Sequence, residues 1–392
     1  MIIETLIAIT IGILIGIISG LIPGIHVNLI SSLSILFYNE ISNKFPAILI
    51  IIALTAMLTT AIFLNFIPSL ILGVPDPEKT LMMKPLHRAI LKGKAYLIIK
   101  QISISLIITS LTCIVLLPLA YLIIKNTSIL TKFIPYILMV VIILNFKKEK
   151  NKLLGITITL LAGILGITTF SIEQLKEPLL PLLSGLFGIS SIIDSINQQP
   201  KFKKQFFSIH TRINKKELIK IPFYTSLVSL FSFIPAVSSS QFVNIIKKDE
   251  KTYALTCSSF TISTALISFI TVYTLNKARN GVAVASISFL ANINQINLII
   301  IVSTILISTA IATLLLIKFS KIILKNMNLI PYKKLSISVL ILIIVLTIVI
   351  AGFWGIIIAI LATCLGLICS KLELNRNYLM ASLIIPTIFY FI

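Results

Sequence analysis

AILIIIALTAMLTTAIFL, residues 47–64, is an apolar run of 18 residues without a charged side chain. As a helix it would be about 27 Å long, close to the thickness of the hydrocarbon core of a bilayer. Comparable apolar runs occupy Tyr96–Ile124, Leu153–Phe170 and Ile296–Ile317. Charged residues make up only 11% of the 392 residues and hydrophobic residues make up 57%, so lipid must solvate most of the surface. The sequence predicts an all-α polytopic membrane protein with about 12 transmembrane helices.

The net charge of +21 has its explanation in the loops. Basic residues lie between the apolar runs, and a topology with the rich loops in the cytoplasm places 26 of the 33 lysines and arginines inside. This is the positive-inside pattern, so we predict a multi-pass protein of the cell membrane that contacts membrane lipid and no nucleic acid. The first charged residue is Glu4, so we expect the first apolar run to be a retained helix rather than a signal peptide.

The sequence contains no motif typical of a metal or cofactor site. The cysteines form no C-x-x-C pair and lie in or near apolar runs, which is typical of buried, inert thiols: Cys113, Cys257, Cys364 and Cys369. We therefore expect no metal site and no cofactor. No row of carboxylates crosses the spans, and Asp194 lies near the end of one, which argues against a dedicated proton relay. A coupling ion, sodium or proton, stays compatible with the sequence because uncharged oxygens can hold sodium.

The longest polar stretch, residues 197–220, lies in the middle of the chain. It predicts a basic cytoplasmic linker between a first transmembrane repeat, residues 1–196, and a second, residues 221–392. Such a linker is either solvated or held by anionic lipid headgroups. Each half breaks an apolar run at an Ile-Pro step, at Pro23 and at Pro235. Helices broken at matching positions of two repeats indicate a transporter site, so we expect two pseudo-symmetric halves with broken or re-entrant helices and a site between them near mid-membrane.

The first break follows glycines spaced four residues apart, which give a smooth face for close helix packing: Gly12, Gly16, Gly20 and Gly24. Pro23 cannot donate a backbone hydrogen bond and Gly24 tolerates unusual dihedral angles, so we expect the helix to open there. A half-helix beginning near Val27 would point free amides at an anion, with His26 and Asn28 beside it. The alternative is a kinked helix whose His26 and Asn28 bond a neighbour for packing.

The second break presents hydroxyls and an amide, which either cap a helix or form a neutral cradle for an anion. The substrate-site candidates of this break are Pro235, Ser238, Ser239, Ser240 and Gln241. Three polar residues at corresponding places of the two halves complete the candidate set: Asn65, Ser69 and Thr264. Hydroxyls such as that of Thr264 also commonly bond only their own backbone.

At these motifs the chain resembles the large membrane subunit of the tripartite tricarboxylate transporter family, in its shorter archaeal-type branch. The glycines and prolines from Gly16 to Gly24 fit the family's G-x-x-x-G-x-x-P-G opening, and PLLSGLFGISSII fits the end of its first half. NKARNGVAVASI, from Asn276, is similar to the segment G-K-x-R-S-G-x-A-V-A-I, and the tail from Ala351 resembles the last helices. The chain departs from the family at His26-Val27 and at Ala236 to Ser238, which places citrate itself in doubt.

The resemblance implies a secondary-active permease for an anionic small molecule, a carboxylate, and no enzyme. In the bacterial systems it also implies a small membrane subunit and an extracytoplasmic binding protein; a homo-oligomer is compatible with the sequence. A flippase for a lipid phosphate such as polyprenyl-phosphate would use the same breaks and amides and is the alternative. A channel or scaffold is a further class. An intramembrane enzyme lacks its motifs, since no H-E-x-x-H, G-x-S-G or Walker loop occurs.

Overall fold

The computed structural model describes residues 2–22, 26–69, 92–126, 133–146, 151–175, 177–195, 205–207, 215–233, 250–278, 280–290, 292–326 and 332–392. Up to residue 195 the helices are α1 (Ile2–Leu21), α2 (Val27–Leu36), α3 (Tyr38–Ser42), α4 (Ala47–Leu64), α5 (Ala95–Val115), α6 (Leu117–Lys125), α7 (Ile134–Phe146), α8 (Lys152–Ser171), α9 (Leu179–Leu183), a π-helical segment (Ser184–Ile189) and α10 (Ser190–Ser195). These elements confirm the all-helical prediction for this part of the chain.

The remaining helices are α11 (Lys215–Ser229), a 3-10 turn (Leu230–Phe233), α12 (Glu250–Leu275), α13 (Gly281–Leu290), α14 (Gln295–Lys325), α15 (Tyr332–Lys371), a 3-10 segment (Arg376–Met380) and α16 (Ala381–Phe391). Within the described ranges, seven helices are long and apolar enough to cross a membrane, and four shorter apolar helices accompany them. The prediction of a polytopic membrane protein is confirmed.

The glycine face of α1 packs directly on α4. A Cβ at Gly12 would lie 2.1 Å from the carbonyl oxygen of Ala53, and one at Gly20 would lie 2.8 Å from the Cβ of Leu64. Because successive glycines meet successive turns of α4, the two helices run parallel. The smooth face predicted from the spacing is therefore confirmed at Gly12, Gly16 and Gly20, whereas Gly24 lies outside the described residues. Any larger residue at these three glycines would separate the two backbones.

The second half ends in a sharply kinked helix. α15 has 40 residues, and Gly352 interrupts it with φ 64° and ψ −157°, a combination that essentially only glycine adopts. Forty residues in one straight helix would be about 60 Å long, twice the hydrocarbon thickness. The kink therefore divides α15 into two arms of membrane-spanning length, with Phe353 and Trp354 beside the turn.

Two helix pairs in the second hydrophobic core pack in the same way. A Cβ at Gly166 of α8 would lie 1.9 Å from the carbonyl oxygen of Ser382 in α16. A Cβ at Gly366, in the second arm of α15, would lie 2.4 Å from the carbonyl oxygen of Leu186. The sequences before these two glycines match. Leu161-Ala162 and Leu165 precede Gly166, and Leu361-Ala362 and Leu365 precede Gly366 at the same distances. Each half thus supplies a glycine helix that packs on a helix of the other half.

The matching helices run in opposite directions. Tyr378 lies against Gly155 in the first turn of α8, so α8 begins beside the Arg376–Met380 segment. The second arm of α15, in contrast, ends beside this segment. Ser370 near its end donates a hydrogen bond to Asp194, and Asp194 also pairs with Arg376 of the segment. This opposed arrangement is the one expected of inverted repeats. The division into repeats at residues 196 and 221 stays a prediction.

The described residues 205–207 of the predicted linker pack against the first half. Gln205 is buried and its side-chain oxygen accepts a hydrogen bond from the backbone N–H of Ala95 at 3.2 Å, which caps the start of α5. Phe207 packs on Tyr96 with a ring-centroid distance of 5.2 Å. α11 begins at Lys215, within the predicted linker. These contacts show that residues 205–207 pack on the start of α5, and the rest of the linker prediction stays a prediction.

The cysteines agree in part with the expectation of inert thiols. All four are free, and Cys113, Cys257 and Cys369 are buried. Cys364 is exposed on the second arm of α15, so the expectation of a buried thiol is wrong at this position. Within the described residues, no group of three His, Cys, Asp or Glu side chains could hold a metal ion.

Candidate functional site

The first break is followed by a short helix that starts where the sequence predicts. α2 begins at Val27, and His26 precedes it in extended conformation as the N-cap. The His26 Nδ1 accepts a hydrogen bond from the backbone N–H of Asn28 at 3.2 Å. His26 therefore contributes to the site first as a cap that fixes the start of α2.

A second short helix from the other half begins beside it. The Asn280 side-chain oxygen accepts from the backbone N–H of Ala283 at 2.8 Å, which caps α13. The backbone N–H of Gly281 donates to the side-chain oxygen of Asn28 at 2.9 Å. One hydrogen bond thus joins the N-terminal ends of two 10-residue helices that are 253 residues apart in the chain.

α2 and α13 lie side by side and parallel. Their N-terminal ends meet at Asn28 and Gly281. At the other ends, the ring of Tyr38, just after α2, packs on the ring of Phe289, in the last turn of α13, at a centroid distance of 5.0 Å. Each helix carries about half a positive charge at its N-terminus. Two such ends at one place create a positive potential, while the backbone N–H groups of Asn28, Gly281 and Ala283 are already engaged in hydrogen bonds within the protein.

Helix length indicates the depth of this region. α1 has 20 residues, about 30 Å, which matches the whole hydrocarbon thickness. α2 starts directly after the end of α1, so its N-terminus lies toward one side of the bilayer. The exposed Lys277 precedes α13 on that side. Helix length places this region near one end of α1, and the mid-membrane depth expected from the sequence stays a prediction.

The structure locates only some of the other predicted site residues. Asn65 follows α4, and its side-chain oxygen accepts from the hydroxyl of the buried Ser69 at 3.4 Å. Asn65 directly follows Leu64, which packs on Gly20 near the end of α1. Asn65 and its partner Ser69 therefore also lie near the end of α1. The Thr264 hydroxyl donates to the carbonyl of Thr261 at 3.0 Å, the local bonding that the sequence left open. The following predicted site residues lie outside the described residues: Pro23, Gly24, Pro235, Ser238, Ser239, Ser240 and Gln241.

The comparison with protein families is decisive for the class of protein. The model of the tripartite tricarboxylate transporter TctA family matches residues 6–381. The chain belongs to the TctA family. This is a family of transporters rather than enzymes, and its members work in tripartite systems with a small membrane subunit and a binding protein.

A relative of this TctA-family chain is an uncharacterized protein of Methanocaldococcus jannaschii, which is 30% identical over 387 residues and covers 94% of both chains. No solved structure matches the chain. Family membership and the membrane-spanning helices together establish a multi-pass membrane transporter.

A buried seam of hydroxyls joins the two halves of this TctA-family protein. The side-chain oxygens of Ser105 in α5 and Ser259 in α12 lie 2.8 Å apart, and Thr109 donates to Ser259 at 2.9 Å. Thr112 and Ser226 of α11 are 3.0 Å apart. Because these hydroxyls satisfy one another in the apolar interior, the seam fixes the register of three helices.

Sequence reasoning did not single out Arg376, which pairs with Asp194 at 3.6 Å and also donates to the hydroxyl of Ser191. Burial lowers the pKa of the Arg376 guanidinium, and the nearby Cys369 and Asp194 partly offset that effect; the group stays a cation. Asp194 is therefore one half of an ion pair between α10 and the segment before α16. A short-range pattern could not have revealed this pair, because its members are far apart in the chain.

Proposed function

We propose that this chain is the translocating subunit of a secondary-active permease for a carboxylate, and that the shared N-terminal end of α2 and α13 binds the substrate's carboxylate groups. The hydrogen bond from Gly281 to Asn28 carries the proposal, because it brings two helix N-termini of different halves to one point. Membership in a tricarboxylate transporter family supports an anionic substrate with several carboxylates.

Electrostatics favours an anion at this position. Parallel helix dipoles repel one another, and a negative charge at their common positive end offsets that repulsion. Each helix N-terminus stabilises an anion by about 0.3–1 kcal/mol, and by up to about 2 kcal/mol where the site is partly buried. The first-turn amides that these internal bonds leave over would supply directed hydrogen bonds to carboxylate oxygens. Such a site needs no fixed positive side chain, which agrees with the scarcity of charges within the spans.

The second break would complete the site from the other half, through Ser238, Ser239 and Ser240 with Gln241. Sodium or a proton would couple transport to an ion gradient, with sodium held by hydroxyl and carbonyl oxygens rather than by a row of carboxylates. A small membrane subunit and an extracytoplasmic binding protein would deliver the substrate, as in other systems of the family. The site would then lie toward the side of the predicted cytoplasmic loops.

One set of proteoliposomes separates the carboxylate permease from the lipid-phosphate flippase. The reconstituted protein is given labelled citrate and shorter di- and tricarboxylates, and in a parallel arm labelled polyprenyl-phosphate. We expect uptake of at least one carboxylate, driven by a sodium or proton gradient, with no acceleration of lipid flipping. Accelerated flipping without carboxylate uptake would replace the proposal by the flippase.

Asn28→Asp tests the position of the site. The new carboxylate keeps an oxygen for the N–H of Gly281 and is itself stabilised by the two dipoles, so the protein should fold normally. It would compete with the substrate's charge and raise the KM for the transported carboxylate by about tenfold or more, which corresponds to about 1.4 kcal/mol. The matched control is Asn294→Asp at the N-cap of α14, where Asn294 accepts from Asn297 at 2.7 Å. An equal KM in both variants would show that the substrate's carboxylate groups do not bind at the shared end of α2 and α13.

A further inference from the structure

A small cavity lies at the interface of α7, α8 and the start of α16. Its volume is about 10 Å³, and its lining residues are Ile142, Thr159, Asn377, Tyr378, Ala381 and Ile384. A polar cavity of about this size can hold one water molecule. It lies away from the proposed substrate site, in the core around α8 and α16.

Asn377 makes this cavity unusual. The residue is only 3% exposed, yet neither its side-chain oxygen nor its side-chain nitrogen has a hydrogen-bond partner among the described residues. Its backbone N–H is satisfied, since it donates to the side-chain oxygen of Asn375 at 3.0 Å. Leaving a buried amide group without a partner is strongly unfavourable. The side chain therefore requires a partner in the cavity that it lines.

Thr159 supplies the second polar group of the lining. Its hydroxyl proton is committed to the carbonyl of Gly155 at 2.8 Å. The hydroxyl oxygen keeps a lone pair and can accept one further hydrogen bond. Asn377 and Thr159 therefore offer two acceptors and one donor group, the Asn377 amide nitrogen.

We propose that the cavity binds a single ordered water molecule that bridges Asn377 of the second half to Thr159 of the first. Water donates two hydrogen bonds and accepts others, so it matches two acceptors and one donor. A sodium ion of similar size fits poorly, because the amide N–H would repel it and two side-chain oxygens are far fewer than the ligands that cations require. The bridge would add a polar link between α8 and the segment before α16, which already meet where Tyr378 lies against Gly155.

The equivalent interface of the other helix pair lacks both polar groups. Gly166 meets Ser382 and Gly366 meets Leu186, so these two contacts correspond. Thr159 lies seven residues before Gly166, and the residue seven positions before Gly366 is Ala359. Asn377 lies five residues before Ser382, and the residue five positions before Leu186 is Pro181. A polar pair present on one side of a pseudo-symmetric arrangement indicates a specific role rather than a property of the packing.

A double-mutant cycle tests the bridge. Asn377→Leu, Thr159→Val and the double variant are compared by thermal unfolding of the full chain in detergent. Thr157→Val is the matched control, because the exposed Thr157 hydroxyl makes the same local bond, to Leu153 at 3.0 Å. We expect Thr159→Val to lower the Tm by about 2–4 °C more than the control in the parent protein. That excess should vanish in the Asn377→Leu background.

The outcomes decide the occupant. The same excess in both backgrounds would overturn the bridge, because Thr159 and Asn377 would then act independently. The Tm of the parent protein is also compared in sodium chloride and in choline chloride. A higher Tm in sodium chloride that is lost in Asn377→Leu would show that a cation occupies the cavity and would overturn the proposal of a water molecule. A high-resolution cryo-EM map should show one feature within hydrogen-bonding distance of both side chains, unchanged between the two salts. A map without such a feature would contradict the proposal directly.

Discussion

Gly281 approaches Asn28 so closely that a Cβ at position 281 would lie 2.8 Å from the Cα and 2.9 Å from the side-chain oxygen of Asn28. Contacts of this kind do not occur between real Cβ atoms and a backbone, so only glycine allows the two helix starts to meet. The absence of a side chain at Gly281 is therefore a condition for the hydrogen bond that joins α2 and α13.

Gly281→Ala should separate the two helix starts and weaken transport. The methyl group must displace the backbone of α2, which breaks the bond from Gly281 to Asn28 and misplaces both sets of amides. We expect the KM of carboxylate uptake to rise by about tenfold or more, with a smaller effect on the Tm. Gly188→Ala is the control, since a Cβ there would meet only Ile343 at 3.8 Å. Normal uptake by Gly281→Ala would show that this contact has no part in binding.

The start of α2 was predictable from local sequence, whereas its partner was not. Pro23 and Gly24 stop a helix, and the capping side chain of His26 lies next to the first helical residue, so the boundary at Val27 depends on neighbours alone. The Asn-Gly pair at Asn280 also indicates a capped helix start. Nothing local connects it with Asn28, because the contact spans 253 residues and depends on how the halves pack.

The serines of the second break remain the sharpest test of a site built from both halves. Ser239 and Ser240 lie outside the described residues, so their contribution is a prediction from sequence. A neutral hydrogen bond is worth about 1 kcal/mol and one to a charged ligand about 1.5–3 kcal/mol. Replacing both serines by alanine should therefore raise the substrate's apparent Kd tens-fold or more. The measurement is ligand binding to the purified protein, with thermal stability followed in parallel.

A purely structural role for the two serines predicts the reverse pattern. Capping serines would lower the Tm in detergent when removed, while the folded fraction would bind carboxylate with unchanged affinity. Ser338→Ala is a suitable control, because the exposed Ser338 hydroxyl bonds only the carbonyl of Lys334 at 3.0 Å.

Close packing was predictable where the sequence repeats a small residue, as in the glycine face of α1. The ion pair of Asp194 was not, because the sequence places this residue near a helix end without indicating a partner. Likewise, Gln205 belongs to a polar stretch that predicts a linker, and its docking on α5 becomes visible only once the two segments are adjacent. Long-range polar contacts of this kind depend on tertiary structure rather than on local pattern.

The Arg376–Asp194 pair should stabilise the protein modestly. Asp194 is 43% exposed and Arg376 is 15% exposed, so solvent screens the attraction, and exposed pairs contribute about 1 kcal/mol or less. Asp194→Asn should therefore lower the Tm by only a few degrees. Arg376→Ala should cost more, because it also removes packing and the hydrogen bond to Ser191. A double-mutant cycle in detergent measures the coupling, and additive effects would show that the pair itself contributes nothing.

The orientation of the chain can be tested with the lysines that the charge pattern separates. The structure places the end of α15 at Lys371 beside the start of α8, and the positive-inside rule assigns this side and Lys84 to the cytoplasm. Lys125, at the exposed end of α6, is assigned to the opposite side.

A membrane-impermeant maleimide applied to intact cells should therefore label Lys125→Cys and spare Lys84→Cys and Lys371→Cys. The variants are made after replacing the four native cysteines, because Cys364 is exposed. Labelling of Lys84→Cys and Lys371→Cys with none at Lys125→Cys would invert the topology, and the shared end of α2 and α13 would then open to the outside, toward an incoming binding protein.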